Sequence, residues 1–272
     1  MKRKIIYLIA ALLSLILFSA CGSGSRESVS LDGSTSMEKV IGALTEGYRE
    51  VDSSVTVNYS GTGSGAGIEA VLSGICDIGL SSRELKPAEF EKGARAHVIA
   101  LDGIVVIVNM QNPVVDLTTD QLRGIFTGTI TNWSQLGGSD APIAVYGREA
   151  GSGTRSAFEE ILGISDRCLY TNEYSSNGDI VGNVSTNPNG IGYVSLSGAS
   201  SNVKMLLIGG IACSEETIRS GSYALQRPFI MVTSVHRPLS AQAQMFLNYA
   251  LSEEVAEYIS IAGAIAPERS RD

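Results

Sequence analysis

The sequence predicts an α/β protein with largely parallel sheets. Apolar, β-branched runs alternate along the chain with stretches whose apolar residues have helical spacing. Glycine- and serine-rich loops stand repeatedly where a predicted strand passes to a predicted helix. Parallel strands need such crossover helices, which then cover both faces of the sheet. A chain of 272 residues, 44% of them hydrophobic, can bury a sizeable core as one large domain or two smaller ones.

The individual elements follow from these patterns. The predicted strands are short and rich in β-branched residues, and they lie at 55–60, 77–82, 97–101, 104–109, 143–147, 190–195 and 227–233. The predicted helices repeat apolar residues every three or four positions, and they cover 37–51, 66–74, 118–126, 154–163 and 240–263. The last of these is predicted as one long, continuous helix.

The charge and the composition exclude several functions. A formal net charge of -8 argues against nucleic acid as a partner, because phosphate backbones need clustered lysine and arginine. Small anions remain compatible, since a site can be locally positive or can use backbone N–H groups. His97 and His236 are the only histidines and no C-x-x-C pair occurs, so we predict no metal site and no cofactor.

The N-terminus predicts export from the cytoplasm. A basic segment at Lys2, Arg3 and Lys4 precedes an apolar run over 5–17, which is too short for a comfortable membrane span. Small residues then lead into Cys21, and this ending resembles a bacterial lipobox. We therefore predict a signal peptide over 1–20, a lipid-modified Cys21 and a tether over 21–29. The alternative is an ordinary secretory peptide with a free Cys21.

Three glycine- and serine-rich loops precede predicted helices, at 32–36, 60–65 and 151–154. In open α/β sheets, ligands collect beyond the carboxyl ends of the strands, where helix N-termini offer N–H groups and partial positive charge. Arg148 stands just before the third loop and adds a full charge with bidentate reach. Together these features predict a cradle for a tetrahedral oxyanion. The alternative for each single loop is N-capping, which satisfies the backbone donors without a ligand.

Motifs of catalysis are missing from the sequence. It contains no G-x-S-x-G nucleophile elbow, no G-x-x-x-x-G-K-[ST] phosphate loop and no spacing that suggests a Ser/His/Asp triad. We therefore predict a binding protein with no catalytic residues.

Five segments carry a family resemblance. They are GSTS at 33–36, YSGTGSGAGIEAV at 59–71, DIGLSSREL at 77–85, LTTDQLRGIFTGTITNWSQLGG at 117–138 and GREAGSGTRSAFEE at 147–160. Together with NPNGIGYVS at 187–195, they resemble the phosphate-binding lipoprotein of the bacterial ABC phosphate importer. The resemblance implies a class II periplasmic-binding-protein fold, with a ligand cleft between two lobes joined by crossing hinge strands. We expect one lobe to contain 30–107 with 225–272, and the other 108–224.

The resemblance also implies a set of ligand contacts, carried over position by position. The phosphate-binding residues expected from it are Thr35, Ser36, Ser64, Ser82, Arg148, Ser152, Gly153 and Thr154. Relatives often have an aspartate where Ser82 stands and another where Ala150 stands. A carboxylate favours the protonated phosphate over sulfate, so we expect Glu149 or Asp102 to accept the ligand's proton, with Ser82 as the fallback.

Two arginines beside this set have open roles. Arg83 is interpreted either as a second anion contact or as the partner of Glu84 in a surface ion pair. Arg155 is expected to position the surroundings of Arg148 or to pair with a carboxylate.

The function implied by the resemblance is capture of inorganic phosphate outside the cytoplasm and its delivery to the permease subunits of an ABC importer. The lipid on Cys21 would hold the protein on the outer face of the cell membrane. Two alternatives remain. One is a binding protein for another oxyanion, such as sulfate or molybdate, and the other is a surface protein that senses phosphate or adheres without transport.

The remaining cysteines and aromatic residues receive structural interpretations. An exported chain can form disulfides, and we expect Cys168 to pair with Cys213 because Cys76 sits in an apolar run that reads as a buried strand. Trp133, Tyr249 and Tyr258 are expected to pack in the core or at its rim, and the two histidines are expected to be structural.

Overall fold

A computed structural model describes residues 27–268 of the chain. The strands within this range are β1 (Ser28–Gly33), β2 (Thr56–Ser60), β3 (Ile78–Ser81), β4 (Ala94–Asn109), β5 (Asp116–Leu117), β6 (Ala144–Arg148), β7 (Asn172–Tyr174), β8 (Gly190–Ser195), β9 (Val203–Met205), β10 (Leu207–Ile208) and β11 (Gln226–Ser234). The predicted signal peptide and Cys21 lie outside the described residues.

The α-helices alternate with these strands. They are α1 (Glu38–Val51), α2 (Ser64–Ser73), α3 (Pro87–Glu91), α4 (Thr119–Phe126), α5 (Gly153–Ile161), α6 (Asn177–Thr186), α7 (Glu215–Arg219), α8 (Ala241–Ala250) and α9 (Ala256–Ile261). Short 3-10 turns occupy Thr35–Met37, Trp133–Leu136, Leu196–Gly198 and Glu253–Val255. Within residues 27–268, no helix has the length and apolar character that crossing a membrane requires.

One strand, β4, joins the two halves of the main sheet. The first half contains β2, β1, β3 and β11, and the second contains β8, β6, β7 and β9. The sheet has nine strands in the order β2-β1-β3-β11-β4-β8-β6-β7, with β9 attached to β4. The first part of β4 pairs with the antiparallel β11, from Ala94 opposite Ser234 to Gly103 opposite Gln226. From Ile104 onward, β4 pairs instead with β8. Because β4 runs unbroken through both halves, it fixes their connection at residues 103 and 104.

The buried side chains divide at the same point. In the first half, one cluster includes Val29, Leu44 and Phe246, whereas in the second half another cluster is built around Phe126 and Trp133. A smaller cluster covers the opposite face of the sheet in each half. Each half is therefore a sheet with apolar packing on both faces, as the alternating sequence predicts.

Three predicted elements have different boundaries in the structure. The strands predicted at 97–101 and 104–109 form the single strand β4, because Gly103 continues the strand and leaves room for the Cys213 sulfur. The helix predicted over 240–263 is interrupted between α8 and α9. The interruption lets Tyr249 of α8 and Tyr258 of α9 both pack against Gly47 of α1.

The predicted disulfide is wrong. Cys168 and Cys213 are free thiols, and both are only partly buried. Cys76 is also free and is buried as expected, but it lies in the turn before β3 rather than in a strand. Burial raises the pKa of Cys168 to about 11 and that of Cys213 to about 12. The two thiols therefore stay protonated near neutral pH and are weak nucleophiles.

A buried ion pair lies where the two halves meet. Asp102 of β4 and Arg227 of β11 are both almost fully buried, and their side chains are 2.8 Å apart. The second oxygen of Asp102 accepts from Ser195 Oγ at the end of β8, at 2.8 Å. The Arg227 Nη1 donates to the Ser82 carbonyl, at 3.1 Å. This pair therefore connects the end of β3 in the first half to the end of β8 in the second.

Removing one charge of this pair should destabilise the fold strongly. Asp102→Asn leaves Arg227 buried without its counter-charge, and we expect a loss of about 3–5 kcal/mol in the free energy of unfolding. The control is Glu215→Gln, which breaks the exposed pair with Arg219 and should cost less than about 1 kcal/mol. Urea denaturation measures both. Equal effects of the two substitutions would contradict the role given to the buried pair.

Candidate functional site

The three predicted loops follow the carboxyl ends of β1, β2 and β6 and meet there. β1 ends at Gly33 and passes to the 3-10 turn Thr35–Met37, and β2 is followed by α2, which begins at Ser64. In the second half, β6 ends at Arg148 and is followed by α5, which begins at Gly153. Helix N-termini from both halves therefore face one another across the strand ends.

Arg148 is the charged centre of this region. Its side chain is fully buried, although it carries a permanent positive charge. Its Nη2 donates to Thr35 Oγ1 at 2.9 Å and to the Ser175 carbonyl at 2.6 Å. Its Nη1 donates to Asn177 Oδ1 at 3.1 Å, and its Nε donates to the Tyr174 carbonyl at 3.2 Å. Burial lowers the pKa of the guanidinium from its ordinary value, because the charged form is poorly solvated there.

None of these partners of Arg148 carries a negative charge. The Thr35 hydroxyl, the Asn177 amide and the carbonyls of Ser175 and Tyr174 are neutral acceptors. A buried cation without a paired anion is costly, so the arrangement is suited to an anionic ligand.

Hydroxyl groups from both halves cluster beside the arginine. The Ser34 hydroxyl donates to Ser82 Oγ at 2.8 Å, and the Ser64 and Ser82 hydroxyls are 3.3 Å apart. Across the two halves, the hydroxyls of Ser36 and Thr154 are 2.7 Å apart. All five of these side chains are buried.

Glycines allow the loops to approach this closely. A Cβ atom on Gly153 would lie 2.0 Å from Ser64 Oγ and 2.6 Å from Ser82 Oγ. Gly63 has a φ of +99°, and a Cβ atom there would lie 2.8 Å from the Gly151 carbonyl oxygen. That carbonyl accepts from the Gly65 N–H at 3.3 Å, which adds a direct contact between the second and third loops.

N-capping explains only part of the pattern. The Ser152 hydroxyl accepts from the Arg155 N–H at 3.4 Å and so caps α5. Helix α2 begins after Gly63, and no side chain caps it. The turn at Thr35–Met37 likewise has no side-chain cap from Ser34. The hydroxyls of Ser34, Ser64 and Ser82 are thus oriented toward one another rather than toward helix ends.

A hydrogen-bonded network holds the backbone of Arg148 in place. Its backbone N–H donates to Tyr193 Oη at 3.3 Å, and the hydroxyls of Tyr193 and Tyr170 are 2.9 Å apart. Tyr170 in turn donates to Glu159 at 2.9 Å. Arg155 donates to the Arg148 carbonyl at 3.0 Å and to Glu159 at 2.8 Å. Arg155 therefore does both things expected of it, since it positions Arg148 and pairs with a carboxylate.

The other charged candidates are occupied elsewhere. Asp102 is held by Arg227 and Ser195 and does not offer a free carboxylate. Arg83 makes a bidentate pair with Glu89, at 2.7 and 2.9 Å, so the alternative of an ion pair with Glu84 is wrong, and the guanidinium is not free for the alternative of a second anion contact. Its only contact with Glu84 in the described chain is to the backbone carbonyl, at 2.8 Å.

Glu149, the other expected acceptor, is half-buried. Its backbone N–H donates to the Tyr174 carbonyl at 3.1 Å. The adjacent Ala150 is exposed.

The sequence analysis missed a fourth loop, which leads into α6. Asn177 at the start of this helix binds Arg148 and also donates to Ser36 Oγ at 3.4 Å. Ser176 and Asp179 form a capping box there, a pattern that was visible in the sequence as Ser-x-x-Asp. Lys39 was also missed, and its ammonium donates to the Ser197 carbonyl at 2.6 Å.

A cavity of about 310 Å³ adjoins the hydroxyl cluster. Thr35 and Ser36 line it from the first half, and Asn177 and Ser197 line it from the second. Among the described residues, no group of His, Cys, Asp and Glu side chains could hold a metal ion. Glu38 and Lys39 also line the cavity, which therefore carries one charge of each sign. The part of the region that suits an anion is the hydrogen-bond donors around the buried Arg148.

Known proteins share this architecture. A family model described as a PBP superfamily domain matches residues 19–254. A putative phosphate ABC transporter substrate-binding protein from Clostridium perfringens, solved with bound phosphate, is 37% identical, with a TM-score of 0.86 over 89% of this chain and 100% of that chain. An ABC-type phosphate transport receptor from Vibrio cholerae is 33% identical, with a TM-score of 0.75 over 88% of this chain and 100% of that chain.

A curated relative agrees with these structures. The phosphate-binding protein PstS of Borreliella burgdorferi is 29% identical over 246 residues, which cover 85% of this chain and 88% of that protein. The fold and the site thus define a solute-binding protein rather than an enzyme, and the predicted fold class is confirmed. The chain belongs to the PBP superfamily and, within it, to the PstS-like phosphate-binding proteins.

Proposed function

We propose that this protein binds inorganic phosphate between its two halves, outside the cytoplasm, and delivers it to the permease subunits of an ABC importer. The observation that carries the proposal is the buried Arg148, whose partners in the structure are all neutral. A phosphate placed against this guanidinium would supply the missing negative charge. Four of the five N–H groups already have neutral acceptors, so the phosphate would accept a bidentate pair of hydrogen bonds by taking the place of one of them, such as Thr35 Oγ1.

The proposed ligand set combines that charge with donors from both halves. Its members are Thr35, Ser36, Ser64, Ser82, Arg148, Ser152, Gly153 and Thr154. Hydrogen bonds and close approaches in the structure support most of this grouping, because they join Thr35 to Arg148, Ser36 to Thr154, and Gly153 to Ser64 and Ser82. A ligand held in this way ties the two halves together when it binds.

The proposed lobes are 30–107 with 225–272, and 108–224. The division of the apolar core favours slightly different boundaries, after Gly103 and after Leu225, since Ile104, Val106 and Leu225 belong to the second core. The first lobe extends back to Ser28, where β1 begins, so the tether is shorter than the predicted 21–29.

Ser82 is the proposed acceptor for the proton that phosphate carries near neutral pH. Asp102 already binds Arg227 and Ser195, so Glu149 and the fallback Ser82 remain. We prefer Ser82 because its hydroxyl lies in the buried cluster, whereas Glu149 is only half-buried. Arg227 holds the Ser82 backbone in place through the carbonyl, so the hydroxyl keeps its position in the cluster. A hydroxyl can also turn to donate, so it should discriminate against sulfate less strongly than a carboxylate does.

Anchoring is proposed to occur through a lipid on Cys21, after removal of the signal peptide over 1–20. The short apolar run and the small residues before Cys21 support this proposal. The lipid would hold the protein on the outer face of the cell membrane, close to the importer.

Removing the Arg148 side chain should abolish most of the phosphate affinity. The loss of a charge-assisted, bidentate contact in a dry cleft should cost about 2–5 kcal/mol, or a factor of roughly thirty to several thousand in Kd. Arg148→Lys should recover only part of this, because an ammonium lacks the planar fork. Calorimetric titration measures all three proteins. An Arg148→Ala protein that binds phosphate within about threefold of the wild type excludes this residue from the site.

A methyl group on Gly153 should also weaken binding, whereas one on Gly151 should not. The added Cβ atom of Gly153→Ala would press on Ser64 and Ser82, and overpacking of about 1–3 kcal/mol corresponds to roughly 5- to 150-fold in Kd. Gly151→Ala is the matched control, because nothing lies within 4 Å of its added Cβ. The same titration compares them, and equal affinities for the two variants would argue against the close approach of the loops.

A further inference from the structure

A second polar groove lies in the first half, at the end of the sheet opposite the strand ends that carry the site. Its volume is about 520 Å³. It is lined by the start of β4, the end of β11, the turn that follows β11 and one face of α8. We call it the Arg95 groove, after its polar lining residues Arg95, His97, Thr233, Arg237, Gln244 and Asn248.

The Arg95 groove is positively charged in an acidic protein. Arg95 and Arg237 both line it, and its lining includes no carboxylate, although the Arg237 guanidinium extends out of the groove to lie against Gly74 at the end of α2. Neither arginine forms an ion pair with a carboxylate among the described residues. His97 lies between the strands with its Nε2 3.0 Å from Thr233 Oγ1, and burial together with Arg95 lowers its pKa. These groups favour an anionic occupant.

The wall of the groove is partly apolar. Val235 lines it and is 62% exposed, and Leu239, Leu247 and Leu251 complete the lining. A groove with guanidinium groups beside one exposed aliphatic side chain, Val235, and two half-buried leucines fits the boundary between lipid headgroups and acyl chains, where arginine meets phosphate and aliphatic groups leave water.

The N-terminal tether leaves the fold at the same end. β1 and β3 are parallel and run toward the site, and β11 is antiparallel to β3. The start of β1 and the end of β11 therefore lie at the same end of the sheet, measured along the strands. The Glu27 carboxylate, just before β1, accepts from the Gln242 amide of α8, the helix that also lines the Arg95 groove.

The tether is too short to hold this end far from a membrane. Five residues, 22–26, separate Cys21 from Glu27. Fully extended, they reach at most roughly 20 Å. Strands in a sheet are about 4.8 Å apart, and β4 is the third strand from β1 in the order β1-β3-β11-β4, so the groove lies roughly 15 Å from the point where the tether leaves. A lipid on Cys21 would thus keep the groove within reach of the bilayer surface.

We propose that the Arg95 groove binds the headgroup phosphate of an anionic membrane lipid of the phosphatidylglycerol type. The proposal rests on the lipid anchor at Cys21 from the proposed function. Docking in this way holds the tether end of the first half on the bilayer.

The test uses the full-length lipidated protein on vesicles. Hydrogen exchange is measured at 94–98 and 233–239, on phosphatidylcholine vesicles with and without phosphatidylglycerol. We expect the backbone amide hydrogens of these segments to exchange more slowly when the anionic lipid is present, by roughly fivefold for each arginine that binds a headgroup. The double variant Arg95→Glu/Arg237→Glu should lose this protection, whereas Arg49→Glu/Arg167→Glu, with the same change in charge on exposed residues elsewhere, should keep it.

The controls separate the two proposals. Failure of the wild type to attach to pure phosphatidylcholine vesicles, or attachment of Cys21→Ser as firmly as the wild type, overturns the anchor and with it the docking. Firm attachment without protection by phosphatidylglycerol overturns the docking alone. Equal protection by inorganic phosphate on pure phosphatidylcholine vesicles would make the groove a site for free anions, which also overturns the lipid proposal.

Discussion

The buried guanidinium of Arg148 constrains the whole site. A permanent positive charge without a carboxylate partner is expensive to bury, and the protein supports it with an amide, a hydroxyl and backbone carbonyls drawn from both halves. The supporting groups are themselves fixed, because Tyr193 and Arg155 hold the backbone of Arg148 in place. An anion in this cleft would therefore be both a ligand and the missing counter-charge, held by donors from both halves.

The second buried arginine has its own carboxylate and a different task. Arg227 is paired with Asp102 at the junction of the halves and reaches the Ser82 carbonyl, whereas Asp102 reaches Ser195 on the other side. The ion pair thus holds a proposed ligand residue against the strand that connects the halves. The charges of Asp102 and Arg227 cancel each other. Arg148, whose partners are neutral, is therefore the positive charge available to the ligand.

Local sequence patterns were sufficient to predict many of the alternating elements, the hydroxyl-rich helix starts and Arg148, because strand–loop–helix units are specified within a few residues. They did not predict β1 or α6. Contacts between distant segments were not predictable in this way. Asp102 meets Arg227 only because β4 and β11 pair across 125 positions, and the break after α8 depends on packing against Gly47. Asn177 carried a capping-box signal, but nothing local indicated that it would face Arg148.

Calorimetric titration of the unmodified protein with phosphate and sulfate tests whether Arg148 and the surrounding hydroxyl groups form a phosphate site. We expect one phosphate to bind per chain and sulfate to bind more weakly. Sulfate carries no proton near neutral pH, so one of its oxygens would face the Ser82 oxygen, acceptor against acceptor, unless the Ser82 hydroxyl turns to donate. The preference should be modest, on the order of tenfold, because the acceptor is a hydroxyl rather than a carboxylate. Absence of phosphate binding, or equal affinity for sulfate, would contradict the account.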